Sequence, residues 1–245
     1  MTRHAVTTLF ISDLHLDASK PEIGEQFLSF LKGEATEADA LYILGDLFES
    51  WVGDDDPNPH YGVMKGAIRN LVDAGVPVFF MHGNRDFMIG KQFAEETGVT
   101  LLDDPASIEL HGEKVLLSHG DALCIDDAQY QQVRLMTRNP QWQKMMRAKP
   151  LQERIAFAEN ARKQSQEYND SVGEDIMDVN QDAVVGTFRN RGVDILLHGH
   201  THRPAIHDVD LKGRMAKRIV LGDWFEQGSV VRWDRHGPRL EVMPR

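Results

Sequence analysis

Five short clusters in this chain carry carboxylate, imidazole and carboxamide groups without a thiolate. They are Asp13-Leu14-His15, Gly45-Asp46, Gly83-Asn84-Arg85-Asp86, Ser118-His119-Gly120-Asp121 and His198-Gly199-His200-Thr201-His202. Mixed oxygen and nitrogen donors suit manganese, iron or zinc. A carboxylate has two oxygens, so Asp46 can bridge two cations if other segments complete the coordination. His200 and His202, two residues apart, share one face of an extended chain. Two ions ~3.5–4 Å apart activate a water and clamp the attacking and departing oxygens of an in-line displacement. One Gly-Asp after a strand is more often an ordinary turn. Recurrence at five strand ends is what points to a metal pair.

Each cluster follows a short apolar run. Val6–Ser12, Leu41–Leu44, Val76–Met81, Lys114–Leu117 and Val193–Leu197 read as strands, and open α/β sheets gather ligands at the carboxyl ends of their strands. Pro21 opens a helical pattern with Ile23, Phe27, Phe30 and Leu31 on one face. Val63–Ala74, closed by Gly75, and Lys91–Thr97, closed by Gly98, read as two more helices. Ile108–Leu110 pairs with Lys114–Leu117, Ala205–Leu211 with Arg218–Leu221, and Val230–Trp233 with Leu240–Met243, each as a hairpin. Early strand–helix alternation followed by hairpins predicts an α/β fold of two packed mixed β-sheets flanked by helices. Gly83 lets the backbone turn so that Asn84, Arg85 and Asp86 project into the site. The acidic segment Asp54–His60 is expected to be a solvated loop beside a packed Trp51.

The 245 residues, 41% hydrophobic, suffice for a single domain over 1–245, and no linker or internal repeat divides it. From about 126 to 182 strand signals vanish and helical patterns interrupted by Pro140 and Pro150 take over, which marks a helical insertion. Arg134, Arg138, Lys144, Arg147, Lys149, Arg154, Arg162 and Lys163 are interleaved there with Leu135, Met136, Trp142, Met145, Met146 and Phe157. Two readings stand: an amphipathic helix pair with a solvated basic face, or a cap that grips an anionic amphiphile and touches a membrane surface. A formal charge of −11 argues against nucleic acid as a partner. The single cysteine, Cys124, excludes an internal disulfide and a thiolate zinc site and reads as an apolar filler. Without a hydrophobic signal core, or a run near the ~20 apolar residues of a membrane span, a cytoplasmic protein is expected, free or held on a membrane surface.

In order and spacing, the five clusters resemble the calcineurin-like metallophosphoesterases, whose pattern is Asp-x-His, Gly-Asp, Gly-Asn-His-Asp/Glu, a lone His and Gly-His-x-His. Arg85 departs from it, since most of the superfamily has His there. Gly-Asn-Arg-Asp-Phe at 83–87, the helical insertion, Ile-Met-Asp-Val-Asn at 176–180 and His-Gly-His-Thr-His-Arg-Pro at 198–204 look like the branch acting on UDP-2,3-diacylglucosamine. That resemblance implies an αββα sandwich in which residues 126–182 form a cap. It implies hydrolysis of UDP-2,3-diacylglucosamine to UMP and 2,3-diacylglucosamine 1-phosphate (lipid X) in lipid A biosynthesis. It also implies two Mn2+ per chain and a peripheral station on the cytoplasmic face of the inner membrane; a monomer is expected. Carried over, it puts Asp13, His15, Asp46 and His202 around one manganese, and Asp46, Asn84, His119 and His200 around the other. Asn84 and Arg85 contact the substrate phosphates, with Asp127, Ser165, Asn169 and His200 around the product. Asn84, Arg85, His119 and His200 form the catalytic set. Val172 stands where some members carry lysine.

Water is the expected nucleophile, attacking the uridine-side phosphorus. The planar donor fork of Arg85 suits phosphate oxygens, and a structural salt bridge is its plainer role. Asp121 either orients His119 or is a turn residue. A phosphoesterase of soluble nucleotides or phosphoproteins needs the same metal set, whereas a catalytically silent scaffold has no need to keep every metal position filled.

Overall fold

The computed structural model describes residues 7–169, 171, 173 and 176–245; Val172 lies outside them, as does the side chain of Asn169. In chain order the elements are β1 (Thr8–Ile11), α1 (Pro21–Lys32), β2 (Ala40–Ile43), α2 (Pro59–Asp73), β3 (Val78–Met81), α3 (Lys91–Thr97) and β4 (Thr100–Leu102). A hairpin of β5 (Ala106–Leu110) and β6 (Glu113–Leu117) follows, then α4 (Ala128–Thr137), α5 (Pro140–Arg147), α6 (Leu151–Asn169) and α7 (Gln181–Arg191). The chain continues with β7 (Ile195–His198), β8 (Ala205–Asp210), β9 (Met215–Val220), β10 (Gly228–Asp234) and β11 (Gly237–Met243).

One sheet runs β11-β10-β1-β2-β3-β4 and the other β5-β6-β7-β9-β8. Both are mixed. β1 to β4 pair in parallel while β10 joins β1 antiparallel, and β6-β7-β9 are parallel between antiparallel β5 and β8. Strand alternation explains the layers. Phe10, Leu44 and Met81 face inward to meet Leu117, Leu197 and Ile219 of the second sheet. Leu9, Ile11, Leu41, Ile43 and Phe80 face outward and pack under α1, α2 and α3 through Ile23, Phe27, Ile68 and Phe93. On the far side, Val184 and Phe188 of α7 cover Leu116 and Leu196. β1 is buried along its whole length, which is why its sequence is continuously apolar rather than alternating.

Three details differ from the sequence reading. β4 is a three-residue strand too short to leave a pattern. Helix α7 starts inside the stretch taken as the insertion and packs against the second sheet; its cap is Asn180, which accepts from the Ala183 amide. The Asp54–His60 loop is not merely solvated. Asp54 accepts the Gly90 and Phe93 amides and the Trp51 indole N–H, tying it to the start of α3, and Asn58 caps α2 ahead of Pro59.

Candidate dimetal centre

The parallel strands of both sheets deliver their carboxyl ends to one place. Asp13 follows β1, Asp46 follows β2, Asn84 follows β3, His119 follows β6, and His200 and His202 follow β7. Four of these residues, and His15 beside Asp13, turn in the left-handed region: φ is 56° at Asp13, 51° at His15, 51° at Asp46, 69° at His200 and 54° at His202. Non-glycine residues seldom adopt it, and such strain gathers where a fold holds functional side chains against their preference. The glycines permit close approach. A Cβ on Gly199 would sit 2.1 Å from Asp13 Oδ2, and one on Gly83 would sit 2.1 Å from Asp46 Oδ1.

The side chains converge as two overlapping groups. Ligand atoms of Asp13, His15 and His202 lie within 4.8 Å of one another, as do those of Asp13, Asp46 and His119. Asp46 Oδ2 is central, 3.8 Å from both His15 Nε2 and His119 Nε2, while its Oδ1 accepts the Arg85 amide at 2.8 Å. Asn84 Oδ1 lies 2.9 Å from His119 Nε2 and 2.9 Å from His200 Nδ1. His15 Nε2 faces His202 Nε2 at 3.3 Å, and Asp13 Oδ1 is buried without a hydrogen-bond partner. Converging imidazole nitrogens around an orphaned carboxylate oxygen fit divalent cations.

Electrostatics bear the signature of a cation site. Burial opposes charge on His119, but Asp46, Asp13 and Asp121 outweigh it and hold its pKa up at about 9. Burial likewise opposes charge on His202, and the carboxylates of Asp13, 3.4 Å from Nε2, and Asp223 raise it to about 10. His200, buried beside His119, is pushed down to about 4. Burial works to raise the Asp13 carboxyl, yet His202, His119 and His15 carry it well below the usual range.

Several residues around the ligands set their orientation. His119 Nδ1 lies 2.9 Å from the Leu44 carbonyl. Glu49 Oε2 lies 3.0 Å from His15 Nδ1 and Asp223 Oδ2 lies 3.3 Å from His202 Nδ1, which leaves Nε2 of both rings for a metal. The sequence reading missed both acids, although Gly222-Asp223 repeats the Gly-Asp signal at the end of another parallel strand, β9. Asp121 neither bonds His119 nor serves only as a turn. Buried, it accepts from Tyr130 Oη at 2.8 Å and pairs with Arg134 Nε at 2.9 Å, which ties α4 to the site. Asp86 does not project into the site either. It accepts the Gly83 and Leu47 amides, each at 2.8 Å, and locks the loops after β2 and β3 together.

Beside the cluster, helices α4 to α6 roof a cavity of about 380 Å3. Asn84, Arg85, Asp127 and Ser165 all line it, together with Trp51, Met88, Trp142 and Phe157. His200 is not in that lining; its ring packs 5.7 Å from Tyr130, which is. Asp127 caps α4 through the Tyr130 amide and accepts from Tyr168 Oη at 3.0 Å. Arg85 has no carboxylate within ion-pair distance among the described residues, and its Nε is buried without a partner. The basic side chains of the insertion do not form one solvated face. Arg134 turns to Asp121, Arg154 to Asp55 and Arg162 to Glu49, all acids outside it.

The family model described as calcineurin-like phosphoesterase matches residues 6–204. The chain belongs to the calcineurin-like phosphoesterases. This calcineurin-like phosphoesterase is 51% identical to the UDP-2,3-diacylglucosamine hydrolase of Stenotrophomonas maltophilia (strain K279a), over 98% of this chain and 100% of that one. The protein of that name from Xanthomonas oryzae pv. oryzae (strain PXO99A) is 51% identical over 96% and 98% of the two chains. The one from Yersinia enterocolitica is 51% identical over 93% and 95%. Among the described residues of this phosphoesterase, no helix is long and apolar enough to cross a membrane.

Proposed function

We propose that the chain hydrolyses UDP-2,3-diacylglucosamine to UMP and 2,3-diacylglucosamine 1-phosphate in lipid A biosynthesis, using two Mn2+ and working as a peripheral protein on the cytoplasmic face of the inner membrane. The observation that carries this reading is the cavity, where Asn84 and Arg85 adjoin the ligand cluster and Trp51, Met88, Trp142, Met146 and Phe157 supply apolar wall among further polar side chains. Full-length likeness to proteins named for that substrate supports it.

Asp13, His15, Asp46 and His202 would hold one manganese, and Asp46, Asn84, His119 and His200 the other. Bound there, the ions supply Lewis acidity toward phosphoryl oxygens and lower the pKa of water. The chain's own groups do the rest. Arg85, fixed through its backbone to Asp46, offers two parallel N–H donors to the phosphates and offsets charge gathering on the attacked phosphorus. Asn84 positions the same phosphate, and Asp127 and Ser165, both in the cavity wall, border the sugar phosphate. Water adds to the uridine-side phosphorus, the bond to the bridging oxygen breaks, and the sugar keeps the other phosphate. Acyl chains lie along Trp142, Phe157 and Met88, where each buried CH2 contributes roughly 0.8 kcal/mol.

Exposed apolar side chains on the cap support contact with a lipid surface; Leu135 is 65% exposed and Met145 53%. The test is UMP release from UDP-2,3-diacylglucosamine in detergent, with and without Mn2+, beside a soluble bis-aryl phosphodiester. Manganese-dependent UMP release at a rate well above diester turnover is expected. Equal or faster turnover of the soluble diester overturns the assignment.

A further inference from the structure

Helix α6 is fastened to the segment after β2 at two points eight residues apart, on one side of the helix. Arg154 donates to the Val52 carbonyl at 2.7 Å and pairs with Asp55. Arg162 pairs with Glu49 Oε1 at 2.6 Å. The two fastenings differ in what stands behind them. The Asp55 side chain is mostly exposed, whereas Glu49 is buried and gives its other oxygen to His15 Nδ1 at 3.0 Å. His15 is the imidazole whose Nε2 faces His202 and Asp46. One carboxylate thus serves a metal ligand with one oxygen and the cap helix with the other.

We propose that Glu49 is a positioning residue through which metal loading and docking of α6 are coupled. The inference rests on the manganese reading of the site. A metal on Nε2 requires a neutral ring with its remaining proton on Nδ1, and Glu49 Oε2, 3.0 Å away, is the acid placed to receive that proton. Coordination therefore fixes the ring, the ring fixes the carboxylate plane, and the plane presents Oε1 to Arg162. With Nε2 unligated, the ring is free to rotate and the carboxylate loses one of its two anchors. The Arg162 contact then holds α6 less firmly, while the Arg154 contact is unaffected. Linkage makes the effect reciprocal, so a docked α6 favours the loaded site.

Hydrogen exchange across residues 151–169 tests this, with and without Mn2+, in the wild type, Glu49→Gln, Arg162→Met and Arg154→Met; bound Mn2+ is counted by electron paramagnetic resonance. In the wild type, Mn2+ should slow exchange in α6 several-fold. Glu49→Gln should bind Mn2+ about 10- to 100-fold more weakly. At full load, both Glu49→Gln and Arg162→Met should show no effect of Mn2+ on α6. Arg154→Met should exchange faster in both states and keep the Mn2+ response, which a merely structural role for Glu49 does not predict. The coupling is overturned if loaded wild type shows unchanged exchange, or if Glu49→Gln or Arg162→Met keeps the response at full load. A wild type that binds no Mn2+ would remove the manganese reading itself, a result visible before any exchange is measured.

Discussion

Arg85 departs from the histidine common in the superfamily pattern, and its guanidinium lines the cavity with no acid within ion-pair distance among the described residues. Its charge is therefore available to a phosphate. Arg85→Ala should keep both Mn2+, counted by metal analysis of the purified variant, and lose about 100- to 1000-fold in turnover, the usual cost of removing one preorganised transition-state donor. Loss of metal would show instead that the side chain holds the site together. The imidazoles make a second prediction. With no metal bound, His119 and His202 keep protons up to about pH 9 and about pH 10. Both values lie above the ordinary ~6.5, so these protonated groups stabilise the metal-free fold fully below about pH 6.5, and that contribution fades as pH rises through 9 to 10. A metal must displace those protons. Mn2+ affinity should accordingly rise from pH 6 to pH 9, and binding near pH 7 should release protons measurable with an indicator dye. Affinity that is flat across this range, with no proton release, refutes the arrangement.

The strand ends do at the level of elements what no single residue does. Most of them were legible because a buried parallel strand is a continuous apolar run, as in Leu41–Leu44, and because Gly-Asp and Gly-Asn mark where it stops. The convergence of Asp13, His15, Asp46, Asn84, His119, His200 and His202 follows from strand order, and each lies two to four residues past its strand. What the pattern hid was tertiary. Glu49 follows no motif in the sequence, and only folding brings it against His15. Asp121 looked like a partner for His119 because it is two residues away, whereas its carboxylate meets Arg134 from α4 instead. Asp54 looked solvated because acidic loops with proline usually are, yet it receives the start of α3. Gly199 carries the prediction at this scale. Gly199→Ala would put a methyl 2.1 Å from Asp13 Oδ2 and 2.2 Å from Ser12 Oγ. The turn between β7 and His200 must shift, and the variant should bind Mn2+ at least 10-fold more weakly while its far-ultraviolet circular dichroism is retained. Wild-type affinity would mean that the turn is looser than its contacts indicate.

Across the whole molecule, the proposed ligands are divided between the two layers, with Asp13, His15, Asp46 and Asn84 from the first sheet and His119, His200 and His202 from the second. Ions held there fasten one sheet to the other, so saturating one site at 100 times its dissociation constant should add about 2.7 kcal/mol. For a chain of this size that raises the melting temperature by roughly 5–10 °C. Calorimetry with Mn2+ and then with a chelator measures it, and a chelator without effect on the transition refutes the cross-sheet bridge. The cap makes a separate prediction. Replacing exposed Leu135 and Met145 together with Glu should reduce co-sedimentation with vesicles containing phosphatidylglycerol at least several-fold while sparing turnover of a soluble diester. Unchanged sedimentation would place the lipid contact elsewhere.

The same division bears on how the chain is made. Asp13, Asp46 and Asn84 leave the ribosome early, and the histidines after β7 leave only when most of the polypeptide is already outside. Until then a growing chain offers cations only Asp13, His15, Asp46 and Asn84 of the first layer and His119 of the second, so neither proposed ligand set is complete. Capture waits until β7 has slotted beside β6, and that single docking event would make metal uptake a late checkpoint of biosynthesis.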